Sequence, residues 1–60
     1  MKVYVLRLND REEFKKAVRI AKELFEEMNV SYMRISYMNQ EITFSSKQAY
    51  KELLKRLGDT

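Results

Sequence analysis

From Lys2 to Leu8 the chain is rich in β-formers and apolar at both odd and even positions, which predicts a strand with no evident solvent face. Asn9-Asp10 interrupts the run. Phe14, Ala17, Val18, Ala21, Leu24, Phe25 and Met28 then recur at steps of three and four, with Ile20 on the flank of the stripe. That period is helical. Asp10 stands where an N-cap belongs and Glu13 follows at capping-box distance, while Glu12 adds negative charge to the first turn. The helix is expected to stop near Asn29, a residue that tolerates the left-handed conformation.

Val30 to Met38 alternates, with Met33, Ile35 and Tyr37 on one face and Tyr32, Arg34 and Ser36 on the other. After Asn39-Gln40 the alternation resumes in Glu41-Ile42-Thr43-Phe44. Two alternating runs across a two-residue break predict a hairpin, although Asn-Gln is a weaker turn than Asn-Gly. Ser45 and Gln48 have capping-box spacing, with Ser46 as a competing cap. Ala49, Tyr50, Leu53, Leu54 and Leu57 form the stripe of a second helix, and Gly58 is expected just past its end, before a short Asp59-Thr60 tail.

The expected order is β-α-β-β-α in a single domain over residues 1–60, an α+β fold. Two helices with one apolar stripe each need a sheet to cover, which predicts a two-layer α/β sandwich with both helices on one face of a three-stranded sheet. Two strand orders satisfy the pattern. In 1-2-3 the first two strands are parallel neighbours; in 2-3-1 the first strand lies antiparallel to the third. The second order resembles a ferredoxin-like fold lacking its last strand, a likeness of topology alone.

The covered face takes Met33, Ile35, Tyr37, Ile42 and Phe44, because the opposite choice buries Arg34 and Glu41. For the first strand, Val3 and Val5 are expected inward, with Arg7 leaving the core at the strand end. Tyr4, Leu6 and Leu8 then lie on the open face beside Tyr32, Arg34, Ser36 and Thr43, with Met38 near an edge. Contiguous apolar patches beyond about 300–600 Å² usually mark an interaction surface. The partner-binding residues expected on this ground are Tyr4, Leu6, Leu8, Tyr32, Arg34 and Met38. The first strand is also an edge in either order, and only Lys2 and Arg7 blunt it. Pairing with another chain follows, either as a homodimer or by docking on a larger protein.

Composition narrows the chemistry. Apolar residues are 45% of the chain, which argues against disorder. Cys and His are both absent, removing disulfides, thiol and imidazole chemistry and soft metal sites, so no metal, no cofactor and no enzymatic activity are expected. No apolar run approaches the roughly 18–20 residues of a membrane span, and the N-terminal segment lacks the core of a signal peptide. A cysteine-free chain of this kind fits the cytoplasm.

Twelve Lys and Arg against nine Asp and Glu give a net charge of +3. The first helix runs acidic, basic, acidic and reads as a solvated face. In the second, Lys47, Lys51 and Lys55 repeat every four residues with Arg56 beside the last. That stripe supports an alternative function in nucleic-acid binding, with Tyr4, Tyr32 and Arg34 as a stacking platform. The signature of single-stranded RNA modules is missing, since no Lys/Arg-Gly-aromatic run occurs. A third reading is a de novo designed chain with no biological task. Its caps and lack of Pro, Cys, His and Trp allow this, while the Asn-Gln turn and an apolar open face speak against it. The leading expectation is a small non-enzymatic interaction or regulatory protein.

Overall fold

Five elements form in the expected order. The structure is a computed structural model describing residues 2–59; Met1 and the Thr60 end of the expected tail lie outside them. The elements are β1 (Tyr4–Arg7), α1 (Arg11–Glu27), β2 (Met33–Ser36), β3 (Glu41–Phe44) and α2 (Lys47–Gly58). The strands make one sheet in the order β1-β3-β2, with both neighbouring pairs antiparallel. The parallel 1-2-3 arrangement does not form.

Local chemistry sets the helix ends. The Asp10 carboxylate accepts from the backbone N–H of Glu12 (2.9 Å) and Glu13 (3.4 Å) at the start of α1. At its end Asn29 adopts a φ of 52°. The Val30 N–H then donates to Phe25 O (3.1 Å) and the Asn29 N–H to Glu26 O (3.3 Å), a Schellman closure of the last turn. Ser46, rather than Ser45, caps α2, its hydroxyl accepting from the Ala49 N–H at 3.1 Å. Ser45 is instead the last rung of the sheet: its N–H donates to Tyr32 O at 3.1 Å and its hydroxyl meets that of Ser31. Gly58 lies inside α2 with no positive φ, so the helix does not end on a left-handed glycine.

The hairpin turn is longer than expected. Ser36 pairs with Glu41, leaving Tyr37, Met38, Asn39 and Gln40 as a four-residue loop. A two-residue type I′ turn needs positive φ at both central positions, which Asn-Gln without glycine resists. Here only Gln40 adopts it, with φ 53°. Tyr37 therefore leaves the strand, yet its ring still packs edge-on against Phe14 at 5.8 Å.

The core lies between the helices and one sheet face. Ile42, Phe44, Leu24, Leu53, Ala17, Ala21 and Ala49 have no exposed surface, and Met33 and Ile35 pack against them. Ile20, off the centre of the stripe, is buried as well, while Phe25 and Met28 remain 37% exposed where α1 ends.

The facing of β1 is opposite to expectation. Tyr4 is paired with Phe44 and Leu6 with Ile42, so both share the covered face. Leu6 and Leu8 pack on the core, and the Tyr4 ring meets that of Tyr50 of α2 in a tilted contact, centroids 5.9 Å apart. Val3 and Val5 face out, 43% and 48% exposed. Arg7 decides this. It is the last rung of the ladder, opposite Glu41, and its guanidinium binds that carboxylate (Nε–Oε2 2.8 Å). Glu41 faces out because its neighbour Ile42 faces in, so Arg7, Val5 and Val3 follow it outward. Covering Tyr4, Leu6 and Leu8 in place of two valines also shields one more large side chain, for less than the about 1.5–3 kcal/mol of full burial because all three stay partly exposed.

Candidate functional site

The six residues expected to form a partner surface do not come together. Tyr4, Leu6 and Leu8 belong to the covered face. Arg34 lies on the open face of β2, at the far edge from β1, with Tyr32 just before that strand. Met38 sits in the hairpin loop, 94% exposed. The open face is accordingly more polar than expected. Its rungs are Val5, Thr43 and Arg34, then Arg7, Glu41 and Ser36, with Val3 and Tyr32 beyond. The open face thus lacks the large apolar patch that speaks against a designed chain.

What the ladder leaves unsatisfied is the edge of β1. The Leu8 N–H donates to Gln40 O at 3.0 Å, and the Gln40 side chain donates back to Leu8 O at 2.6 Å. Hydrogen-bonded and non-hydrogen-bonded pairs alternate in antiparallel sheets. Leu8, Leu6 and Tyr4 therefore direct their backbone groups to β3, while Val5 and Arg7 direct theirs to the open side. The Ser45 to Tyr32 bond fits the same alternation on the β2 side.

Exposed aliphatic side chains border this edge on both faces. Val3 and Val5 lie on the open face. Above, α2 packs on β1 and β3. One flank of α2 is turned to α1, where Arg56 binds Glu27 (3.0 Å) and Glu52 (3.1 Å). The other flank carries Tyr50, which meets Tyr4. Leu54 follows Tyr50 by four residues and so shares that flank, 41% exposed. Leu54 was expected to be covered with the rest of its helical stripe, and Val3 and Val5 were expected inward in place of Tyr4, Leu6 and Leu8. The β2 edge is less open to pairing, because Arg34 places a charge at its centre, one of the ways edges are protected.

The basic stripe is only partly free. Lys47, Lys51 and Lys55 are exposed. Arg56 is diverted: the hydrogen bonds its guanidinium donates to Glu27 first, then to Glu52, hold it above its ordinary pKa. Tyr4 is on the covered face, so the stacking platform with Tyr32 and Arg34 is not assembled.

A shallow cleft of about 220 Å³ opens between α1 and the hairpin loop, lined by Arg11, Phe14, Lys15, Val18, Tyr37 and Gln40. It is smaller than the roughly 300–1,000 Å³ of small-molecule sites. Among the described residues, no group of three or more acidic, His or Cys side chains is placed to hold a metal ion, and no helix is long and apolar enough to cross a membrane. Comparison with protein-family models, with curated proteins and with solved structures returns no match.

Proposed function

We propose that this is a small non-catalytic interaction protein whose working surface is the edge of β1 and the aliphatic side chains on either side of it. The observation that carries the reading is Val5. It is a β-branched residue at the centre of an edge strand, 48% exposed, with its backbone groups directed outward. An extended segment added antiparallel to β1 satisfies those groups and covers Val3 and Val5. We also read the sheet as ferredoxin-like without its last strand. In that arrangement a fourth strand lies beside β1, and a partner's strand takes its place.

The absence of Cys and His and the small size of the cleft support a non-catalytic role. Nucleic-acid binding rests on Lys47, Lys51 and Lys55 alone, with Arg56 and Tyr4 engaged elsewhere, and is the weaker reading.

The test is a titration with a peptide of residues 2–8, read by amide hydrogen exchange. Leu6 and Leu8 amides are protected without peptide. At about 2 µM protein, Val5 and Arg7 amides exchange fast and become protected as peptide is added. If they stay unprotected at about 1 mM peptide, where even weak strand addition registers, the reading is wrong.

A further inference from the structure

We infer that the strand β1 accepts is β1 of a second copy, paired antiparallel with Val5 on the two-fold axis. This rests on the interaction reading above and names the partner. Val5 directs both its backbone groups to the edge, so two copies of Val5 can exchange their N–H and C=O bonds across the axis. The register then follows without choice: Arg7 of one copy stands opposite Val3 of the other, and Lys2 opposite Leu8. Every cation of the strand meets an apolar residue, and no like charges face each other, which would be destabilising. Arg7 is moreover neutralised within its own chain by Glu41.

The surroundings are self-complementary too. On the open face, Val3 and Val5 of both copies merge into one patch. On the covered face Tyr4 meets Leu6 of the second copy, and both keep some exposed surface in the single chain. Above them the two copies of α2 come side by side, with Leu54 on the facing flanks. The product is one six-stranded sheet in which β2 of each copy forms the outer edges, and those edges carry Arg34. A second copy thus removes the unprotected edge and leaves the protected one. A strand this short gives an interface at the small end of the range, so association is expected near 10–100 µM, in order-of-magnitude terms. Each copy carries a net charge of +3, so salt should strengthen the dimer by screening their repulsion.

Sedimentation of the whole chain over a concentration range from about 10 µM to 1 mM brackets that affinity. The expected result is a shift from the 7.3 kDa monomer to twice that mass, enhanced in high salt. Val5→Pro removes the N–H aimed at the edge and none used by β3, and proline is tolerated on edge strands. It should leave the circular dichroism spectrum unchanged and abolish the dimer. Should Val5→Pro fail to fold, Val5→Lys places two like charges at the axis and should raise the dissociation constant more than tenfold. A dimer insensitive to Val5 substitution overturns the proposal, as does a monomer at every concentration. In the latter case the peptide titration separates the two claims. Protection of the Val5 and Arg7 amides leaves the edge as a docking strand for a different partner, and no protection removes both.

Discussion

Replacing Leu6 and, separately, Val5 by alanine tests the facing of β1 directly. Leu6 lies on the covered face opposite Ile42 and packs on the core, whereas Val5 lies opposite Thr43 on the open face, 48% exposed. Leu6→Ala removes three carbons from a largely dry site. At about 0.8 kcal/mol per buried carbon the loss is about 2 kcal/mol, and incomplete closing of the space adds to it. Val5→Ala removes two carbons that are about half wet, so the same arithmetic gives about 0.8 kcal/mol. A domain of this length is stable by only about 3–9 kcal/mol, so the first change takes a large share of the total. Urea unfolding followed by circular dichroism measures both, at about 2 µM, well below the expected association range. With a slope near 1 kcal/mol per molar urea, Leu6→Ala should lower the midpoint by about 2 M and Val5→Ala by under about 1 M. The opposite facing of β1 predicts the reverse order. A loss from Val5→Ala equal to or greater than that from Leu6→Ala would refute the placement of Tyr4, Leu6 and Leu8 beneath the helices, and with it the choice of Val5 as the centre of the edge.

Other consequences of the structure are measured the same way. Ser46→Ala should cost about 1 kcal/mol by removing the cap on Ala49, while Ser45→Ala, whose hydroxyl contacts are exposed, should cost less than about half of that. Gly58→Ala should raise stability by about 0.5–1 kcal/mol: Gly58 is helical, has no positive φ, and an added Cβ meets nothing within 4 Å. A fall in the melting temperature would show that Gly58 has a conformational role after all. Thermal stability should be flat between about pH 6 and pH 9, because the chain lacks His and Cys, whose charge changes fall in or near that range. Arg56 does not alter this expectation. Its pKa is raised in the folded chain, so its contribution is fully present below its ordinary value and is lost only as pH rises through the higher one, in strong alkali. A melting temperature moving by more than about 5 °C across that interval would point to a titrating group the fold does not display.

The two helices, the start of α1 at Asp10, its end at Asn29 and the order of the five elements are legible along the chain. They depend on neighbours a few residues apart: a stripe repeating every three or four positions, or a side chain reaching its own backbone. The face assigned to Ile42 and Phe44 was legible for a related reason, since burying Arg34 and Glu41 is costly whatever surrounds them. β1 is different. It is apolar at both parities, so its own alternation holds no contrast, and its facing waits on Glu41, thirty-four residues away, which captures Arg7 across the ladder. The choice of Ser46 over Ser45 is likewise settled by strand register, because Ser45 is drawn into the last rung with Tyr32. The candidate edge inherits this dependence. That β1 borders the sheet follows from element order, but which side chains flank it, and that Leu54 stays exposed above it, emerges only when helices and strands are packed. Contacts between distant residues carry no local periodicity, and only folding brings them together.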